Sequence, residues 1–449
     1  MPLWFQTALL PRGWVDGVRL SLAHGRIVRM ETGTQAVSVD EQHAVGLSGL
    51  CNVHSHGFQR GMAGLAEVRG PENDNFWTWR EVMYRFLDRL DPEQIEAITA
   101  MAYVEMLETG FTRVGEFHYL HHDLAGQPYA NLGETAERIA AAANATGIGL
   151  TLLPVFYAHS NFGGALPSHG QRRFINTVDR FAALTEASLK SVAGLPDANV
   201  GVAPHSLRAA TPEELQAVIP LARDGPVHIH AAEQTKEVED CVAWSGQRPV
   251  EWLLAHTDVN ERWCLVHATH LTPSETRALA KSGAVAGLCP ITEANLGDGI
   301  FPTPDYLAQS GRIGFGTDSN VQIGAAAELR ALEYAQRLAT QSRNVLAGED
   351  GESTGRTLFE RALSGGAQAL GQGAWGICEG APADLLSLDT SDPVFFGRKG
   401  DAILDSWIFA AGKVDCVWRG GRRVVERGRH VAQEAVAAGY RRALQSVLE

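Results

Sequence analysis

The sequence has 449 residues, of which 45% are hydrophobic and 20% are charged, and this ordinary balance excludes disorder as its main character. There are 38 Lys and Arg against 52 Asp and Glu, a net charge of −14 with no basic run, so a nucleic-acid or anionic-membrane surface is not expected. The six cysteines form no CxxC pair, which argues against a disulfide framework and a cysteine-based zinc site. Because neither an apolar leader nor an apolar run of about 18 residues is present, we expect a cytoplasmic protein.

The two ends of the chain share one pattern. Residues 1–47 alternate apolar and polar positions, as in LWFQTALL, which is typical of strands with one buried face. Similar segments return after residue 375, and the glycine pair in KVDCVWRGGRRVVERGR predicts a hairpin turn. Neither end is large enough for a stable core alone. We therefore predict one small β-sandwich-like domain built from residues 1–47 and 375–449.

Between these ends, residues 48–374 alternate apolar segments with amphipathic ones. The apolar segments are rich in Val, Ile and Leu, as buried parallel strands are. In chain order they are LSGLCNVH, FTRVGEF, IGLTLLPVF, NVGVAP, PVHIHA, WCLVHA, AVAGLCP and RIGFGTD. The clearest helix has Asp91 as its N-cap and Pro92 as its first residue, and it ends at Gly110. Eight β–α repeats predict an α/β fold, a (β/α)8 catalytic barrel, with an open doubly wound sheet as the alternative.

Residues that bind metals or transfer protons follow four of these strands. The first strand ends with His54 and His56, whose spacing puts both imidazoles on one side. The others are His230 and Glu233 after the fifth strand, His267 after the sixth and Asp318 after the eighth. Structural histidines have no reason to occupy corresponding strand ends, whereas barrel enzymes keep their catalytic groups there. Imidazole and carboxylate donors suit Zn²⁺, although Fe²⁺ or Mn²⁺ would accept the same set.

The order HSH, HAAE, VHATH and GTDS at these strand ends resembles the deaminase branch of the amidohydrolase superfamily. The segment GAPADLLSLD resembles the return of that family into its small β domain. More narrowly, HSHGFQRGMAGLAE followed by FWTWREVMYR resembles the formimidoylglutamate deiminases of histidine degradation. The resemblance implies metal-dependent hydrolysis of N-formimino-L-glutamate to N-formyl-L-glutamate and ammonia, by a homodimer.

The resemblance also implies a role for each residue at the strand ends. The implied metal ligands are His54, His56, His230 and Asp318. The implied catalytic groups, which move protons and orient the water, are Glu233, His267 and Asp318. Binuclear members of the superfamily carry a lysine on the fourth strand, but this strand ends in APHS. We therefore expect one Zn²⁺ per chain.

Further residues are implied to bind a small anionic substrate through its two carboxylates. They are Gln59, Arg80, Tyr119, His205 and Arg208. The planar fork of a guanidinium suits a carboxylate, and a chain of net charge −14 has to meet an anion with local positive groups. The neighbouring histidines could hold a second metal or lie in a loop near the substrate pocket; these are His118, His121 and His122.

Two other functions stay open on the sequence alone. One is a deaminase of the same branch that acts on a purine, a pterin or another aromatic heterocycle, which would favour an aromatic slot over two arginines. The other is a binding or scaffolding protein on a barrel that has lost catalysis. The second disagrees with the sequence, because every metal and proton-transfer position of the resembled family is filled.

Overall fold

The computed structural model describes residues 2–70, 74–348 and 351–449. All of the predicted buried strands are present and lie parallel to their neighbours. They cover Leu50–Ser55, Phe111–His118, Gly149–Phe156, Asn199–Val200 with Ala203–Pro204, Val227–Ala231, Trp263–His267, Val285–Leu288 and Arg312–Phe315. We refer to them in this order as barrel strands 1 to 8.

The parallel sheet curls until its two edges meet. Barrel strand 8 pairs with barrel strand 1, where Phe315 lies beside Asn52. Between barrel strands 4 and 5, parallel bridges join Val202 to Val227 and Ser206 to His230. The sheet therefore closes as a (β/α)8 barrel, and the predicted fold class is confirmed.

Helices surround the barrel. They cover Phe76–Leu87, Pro92–Glu108, Glu134–Thr146, Val178–Val192, Pro212–Val218, Thr235–Ser245, Pro249–His256, Pro273–Ser282, Pro290–Leu296, Thr303–Ala308, Ala325–Thr340 and Thr354–Ala369. Asp91 caps the second of them as predicted, since its carboxylate accepts from the Gln94 amide at 2.7 Å while the Gln94 side chain accepts from the Asp91 amide at 2.9 Å. Among the described residues, no helix has the length and apolar character needed to cross a membrane.

The two ends of the chain meet in a second, mixed sheet. Its strands are Leu3–Leu10, Gly13–Ala23, Arg26–Glu31, Glu41–Ser48, Leu385–Leu388, Val414–Arg419, Arg422–Glu426 and Arg429–His430. Strand Leu385–Leu388 runs antiparallel to Glu41–Ser48 and so joins the C-terminal strands to the N-terminal ones. Gly420 and Gly421 both have positive φ, 55° and 75°, in the predicted hairpin turn. This sheet is the flanking β domain; the boundaries at residues 47 and 375 stay predictions.

The C-terminal part of the chain also contains helices that the alternating pattern did not predict. They cover Asp401–Phe409 and Gln433–Leu448. The second one packs along the barrel helix Pro92–Glu108. Arg89, just before that barrel helix, donates to the Val447 carbonyl at 2.7 Å. The end of the chain therefore covers the barrel and not only the second sheet.

Arg419 ties the second sheet to the barrel. Its guanidinium lies 2.5 Å from Asp197, which precedes barrel strand 4, and 3.1 Å from Asp384. The space it occupies exists because barrel strand 3 begins with glycine: a Cβ on Gly149 would approach the guanidinium to 2.5 Å. Arg419 is only 9% exposed, so its charge depends on these two carboxylates.

We expect Arg419→Ala to lower the free energy of unfolding by about 1–3 kcal/mol, because it leaves the partly buried Asp384 carboxylate without its cation, while Asp197 keeps its pair with Arg113 at 2.9 Å. The loss stays below that of a fully buried pair because Asp197 is 37% exposed. Arg423→Ala is the control. The Arg423 side chain is 38% exposed, so its ion pair with Glu41 should contribute under about 1 kcal/mol to the free energy of unfolding. Equilibrium unfolding in urea measures both variants, and equal losses would contradict a bridging role for Arg419.

Candidate active site

Four side chains converge at the carboxyl end of the barrel. Nε2 of His54 lies 3.2 Å from Nε2 of His56 and 3.1 Å from Nε2 of His230. The carboxylate of Asp318 lies 3.4 Å from His54 Nε2 and 3.2 Å from His56 Nε2. All four residues are buried, and their donor atoms lie within 4.8 Å of one another. The structure thus brings together the four residues predicted to be metal ligands.

The backbone holds two of these imidazoles in the orientation that a ligand needs. Nδ1 of His56 lies 2.9 Å from the Phe117 carbonyl, and Nδ1 of His230 lies 3.0 Å from the His205 carbonyl. A carbonyl only accepts hydrogen bonds, so each Nδ1 carries the proton and each Nε2 directs a lone pair into the cluster. Ligands about 2.0–2.1 Å from a tetrahedral zinc ion lie roughly 3.3–3.4 Å apart. The observed separations fit one divalent ion of this size.

His267 and Glu233 lie beside these four residues. Nε2 of His267 lies 3.9 Å from the Glu233 carboxylate and 3.8 Å from the Asp318 carboxylate. Burial opposes protonation of His267, but neighbouring carboxylates, Glu233 foremost, raise the pKa of its imidazole to about 10. Burial raises the pKa of the Glu233 carboxyl to about 7. A carboxyl group with a pKa near neutrality can both accept and release a proton during a reaction.

The backbone is left-handed at three of the strand ends. Ala232, His267 and Asp318 have φ values of 52°, 65° and 43°. Residues other than glycine seldom adopt this conformation, and such positions concentrate at functional sites. Glu237 holds the first of these turns, since its carboxylate accepts from the amides of Ala232 and Glu233 at 3.2 Å each. The sequence interpretation missed Glu237, although a carboxylate in the first turn of the helix after Glu233 was a usable signal.

Two further residues that the sequence interpretation missed follow barrel strand 7. Glu293 accepts from the Cys289 amide at 2.8 Å and lies 3.2 Å from Nδ1 of His267. Glu293 therefore orients the imidazole of His267 from behind. The Cys289 sulfur lies within 4.8 Å of a potential ligand atom of His267 and of Asp318. Burial raises the pKa of the Cys289 thiol well above its ordinary value. Cys289 is thus a neutral thiol at the edge of the site.

The predicted substrate residues line the cavity that opens over the predicted metal ligands. They are Gln59, Arg80, Tyr119, His205 and Arg208. Gln59 donates from its side-chain amide to the Tyr119 hydroxyl at 2.8 Å. Nε of Arg80, and Nε and Nη2 of Arg208, are buried without a hydrogen-bond partner within the described part of the chain. Buried donors without partners are costly, so these atoms indicate a ligand that brings several acceptors.

The remaining walls of the cavity are mostly aromatic. They include Phe76, Trp79, Tyr84, Tyr157 and Phe174. In residues 2–70, 74–348 and 351–449, neither Arg80 nor Arg208 forms an ion pair with a carboxylate. The carboxylates that do line the cavity, Glu233 and Asp318, stand with the histidines. The cavity therefore has a cationic part and a metal-binding part.

The histidines that could have formed a second metal site make structural hydrogen bonds instead. Nε2 of His118 lies 2.9 Å from the Thr135 hydroxyl. Nε2 of His121 and Nε2 of His122 each lie 2.9 Å from a backbone carbonyl. Among the described residues, no group of potential ligand atoms includes these three histidines. They support the loops beside the cavity.

Comparisons with known proteins agree with this architecture. Residues 47–424 match the amidohydrolase family, and residues 4–44 match the N-terminal domain of formimidoylglutamate deiminase HutF. A formimidoylglutamate deiminase from Pseudomonas aeruginosa is 50% identical over 451 residues, which cover 100% of this chain and 99% of that protein. A 5-methylthioadenosine/S-adenosylhomocysteine deaminase from Natronomonas pharaonis is 28% identical, over 79% of this chain and 75% of its own.

The similarity extends to a solved structure. The crystal structure of an amidohydrolase from Brucella melitensis superimposes with a TM-score of 0.98 at 56% identity, and each chain is covered completely. The barrel and the flanking sheet therefore have counterparts in that structure over the whole length of the chain. The chain described here belongs to the amidohydrolase family.

Proposed function

We propose that this chain hydrolyses N-formimino-L-glutamate to N-formyl-L-glutamate and ammonia. The observation that carries the proposal is the pair Arg80 and Arg208, which have buried donors and no carboxylate partner in the described chain, in the same cavity as a three-histidine, one-aspartate cluster. A substrate with an amidine at one end and two carboxylates at the other uses both parts of this cavity. The full-length relationship to a formimidoylglutamate deiminase supports the same assignment.

One divalent ion, which we propose to be Zn²⁺, would be held by four side chains. They are His54, His56, His230 and Asp318. When bound, such an ion lowers the pKa of a water molecule and polarises the group that is attacked. The donor chemistry also accepts Fe²⁺ or Mn²⁺. The family is metal-dependent, and the choice of zinc is our proposal.

Glu233 and His267 have positions and pKa values that suit the proton transfers of this hydrolysis. The water oxygen bonds to the formimino carbon, the bond from that carbon to its terminal nitrogen breaks, and ammonia leaves. Glu233 takes the two protons of the water in turn and delivers both to the departing nitrogen, so the imine NH leaves as ammonia and the water oxygen becomes the formyl carbonyl. His267 keeps a positive charge because neighbouring carboxylates raise its pKa, so it stabilises negative charge that develops on the oxygen.

The residues around the cationic part of the cavity would bind the glutamate moiety. Each guanidinium of Arg80 and Arg208 offers a planar fork to a carboxylate. Tyr119 and Gln59, which are hydrogen-bonded to each other, add polar groups without charge. His205 is neutral, because burial and then the nearby Arg208 charge lower its pKa well below the ordinary value. The cationic charge of this part therefore comes from the two arginines.

Deamination of an aromatic heterocycle is the second candidate. The aromatic walls of the cavity favour it, and one relative at 28% identity is a deaminase of 5-methylthioadenosine and S-adenosylhomocysteine. A neutral ring, however, would supply no carboxylate to Arg208, which is 4% exposed and forms an ion pair with none in the described chain. The unpartnered arginines therefore favour the dianionic amidine.

We expect the purified protein to release ammonia from N-formimino-L-glutamate, and to release little from guanine, adenosine or cytosine at the same concentration. The physical reason is the pair of arginines, which bind carboxylates that the heterocycles lack. A coupled ammonia assay over this panel measures the preference. Rapid turnover of one heterocycle, with none of N-formimino-L-glutamate, would replace the proposal with the second candidate.

We expect close to one divalent ion per chain in the wild-type protein, and its loss in His54→Ala or Asp318→Ala. Glu233→Gln should keep the ion, because the residue stands beside the ligands, yet lower turnover by about 10²-fold or more, because an amide does not carry the proton. Elemental analysis beside steady-state kinetics separates the two effects. Two tightly held ions per chain, or a metal-free Glu233→Gln protein, would contradict these roles.

We expect Arg208→Ala to lower kcat/KM for N-formimino-L-glutamate by roughly 30- to several-thousand-fold, corresponding to about 2–5 kcal/mol for a lost charged partner. Hydrolysis of a formamidine without carboxylates should change little, because the metal and proton-transfer residues are intact. Arg223→Ala is the matched control, since this arginine is 61% exposed in a surface ion pair. Equal losses for both compounds would show that Arg208 supports the catalytic geometry instead.

A further inference from the structure

The helix Phe76–Leu87 places aromatic rings against both cavity arginines. Trp77, Arg80 and Tyr84 are spaced three and four residues apart and so share one face of this helix. The guanidinium carbon of Arg80 lies 4.6 Å from the Trp77 ring centroid and 5.6 Å from the Tyr84 ring centroid. The guanidinium carbon of Arg208, from the loop after barrel strand 4, lies 5.7 Å from the same Trp77 ring. One indole therefore contacts two cations.

This arrangement is unusual for a pair of like charges, of which Arg208 is buried and Arg80 is half-buried. Two guanidinium groups beside one ring repel each other, and buried arginines are ordinarily paired with carboxylates. Here the face of an indole, which attracts cations through its quadrupole, takes the place of a carboxylate. A ring holds an arginine in position without neutralising it. A carboxylate of the ligand can then bind the guanidinium group without displacing a carboxylate of the protein.

Trp77 itself is fixed at the start of the helix. The side chain of Asn75 accepts from the Trp77 amide at 2.8 Å and from the Thr78 amide at 3.4 Å, which is an N-terminal cap. Trp77 is not among the residues that line the cavity, whereas Arg80 and Arg208 are. Any effect of Trp77 on a ligand would therefore act through the arginines.

We propose that Trp77 is a positioning residue, which holds Arg80 and Arg208 together as one binding site for the two carboxylates of a dicarboxylate. This inference rests on the proposed function for the identity of the substrate. The binding site itself is testable without turnover, because glutarate carries two carboxylates and no amidine. Glutarate is therefore the probe for the site.

We expect Trp77→Leu in the full-length holoenzyme to weaken glutarate binding, measured by isothermal titration calorimetry, by about 5- to 30-fold, since two cation–ring contacts are lost. The KM for N-formimino-L-glutamate should rise by a similar factor while kcat stays within about twofold. Trp77→Phe should restore most of the affinity, because phenylalanine keeps a ring face. Trp375→Leu, at a tryptophan that is 45% exposed elsewhere on the surface, should leave both quantities unchanged.

An unchanged glutarate affinity in Trp77→Leu would overturn the inference, as would equal losses for N-formimino-L-glutamate and a formamidine without carboxylates. Circular dichroism and metal content of each variant identify a folding defect, and Trp77→Met, which also lacks a ring face and has the same expected loss, then carries the test. The proposed function fails separately, if the wild-type protein binds glutarate but does not hydrolyse N-formimino-L-glutamate. A wild-type protein that binds no glutarate would overturn the dicarboxylate site itself.

Discussion

The site depends on the closure of the parallel sheet. Where barrel strand 8 meets barrel strand 1, the Asp318 amide donates to the His54 carbonyl at 3.0 Å, and the His56 amide donates to the Asp318 carbonyl at 3.0 Å. On the opposite side of the barrel, the His230 amide donates to the His205 carbonyl at 2.9 Å. Several of the hydrogen bonds that close the barrel are therefore made by residues that we predict to be metal ligands. Fold and metal-binding geometry cannot be separated here, because the same backbone groups determine both.

Charge is divided within the cavity in a way that the overall composition does not show. The chain carries a net charge of −14, yet one part of its cavity presents two arginines without carboxylate partners in the described residues. The other part buries Glu233 beside His267. Burial raises the pKa of Glu233 to about 7, and neighbouring carboxylates raise the pKa of His267 to about 10. Both parts keep groups in environments that cost stability, which is common where binding or catalysis requires them.

The sequence predicted the site residues that follow directly after strands. It missed the residues whose role depends on contacts between segments that are distant in the chain. His54 and Asp318 were identifiable because apolar strands end beside them, and barrel strands end at one rim. Glu237 and Glu293 act on backbone amides and a ring nitrogen that only the folded chain brings near. The helix Gln433–Leu448 was missed because the strand pattern before it was extended to the end of the chain. The homodimer has no counterpart in a single chain and stays a prediction.

Specificity in this family is separable from the metal chemistry. A hydrolytic centre of three histidines and one aspartate suits any substrate whose carbon–nitrogen bond can be presented to it, and deaminases of other substrates are related to this chain at 28% identity. The arginines stand outside this centre, one on the helix Phe76–Leu87 and one after barrel strand 4. An aromatic ring that supports an arginine leaves its charge available, whereas a carboxylate would neutralise it before the ligand arrives. On the proposed function, selection for a dianionic amidine over a neutral ring rests on these two segments, and we propose that it depends on aromatic support in particular.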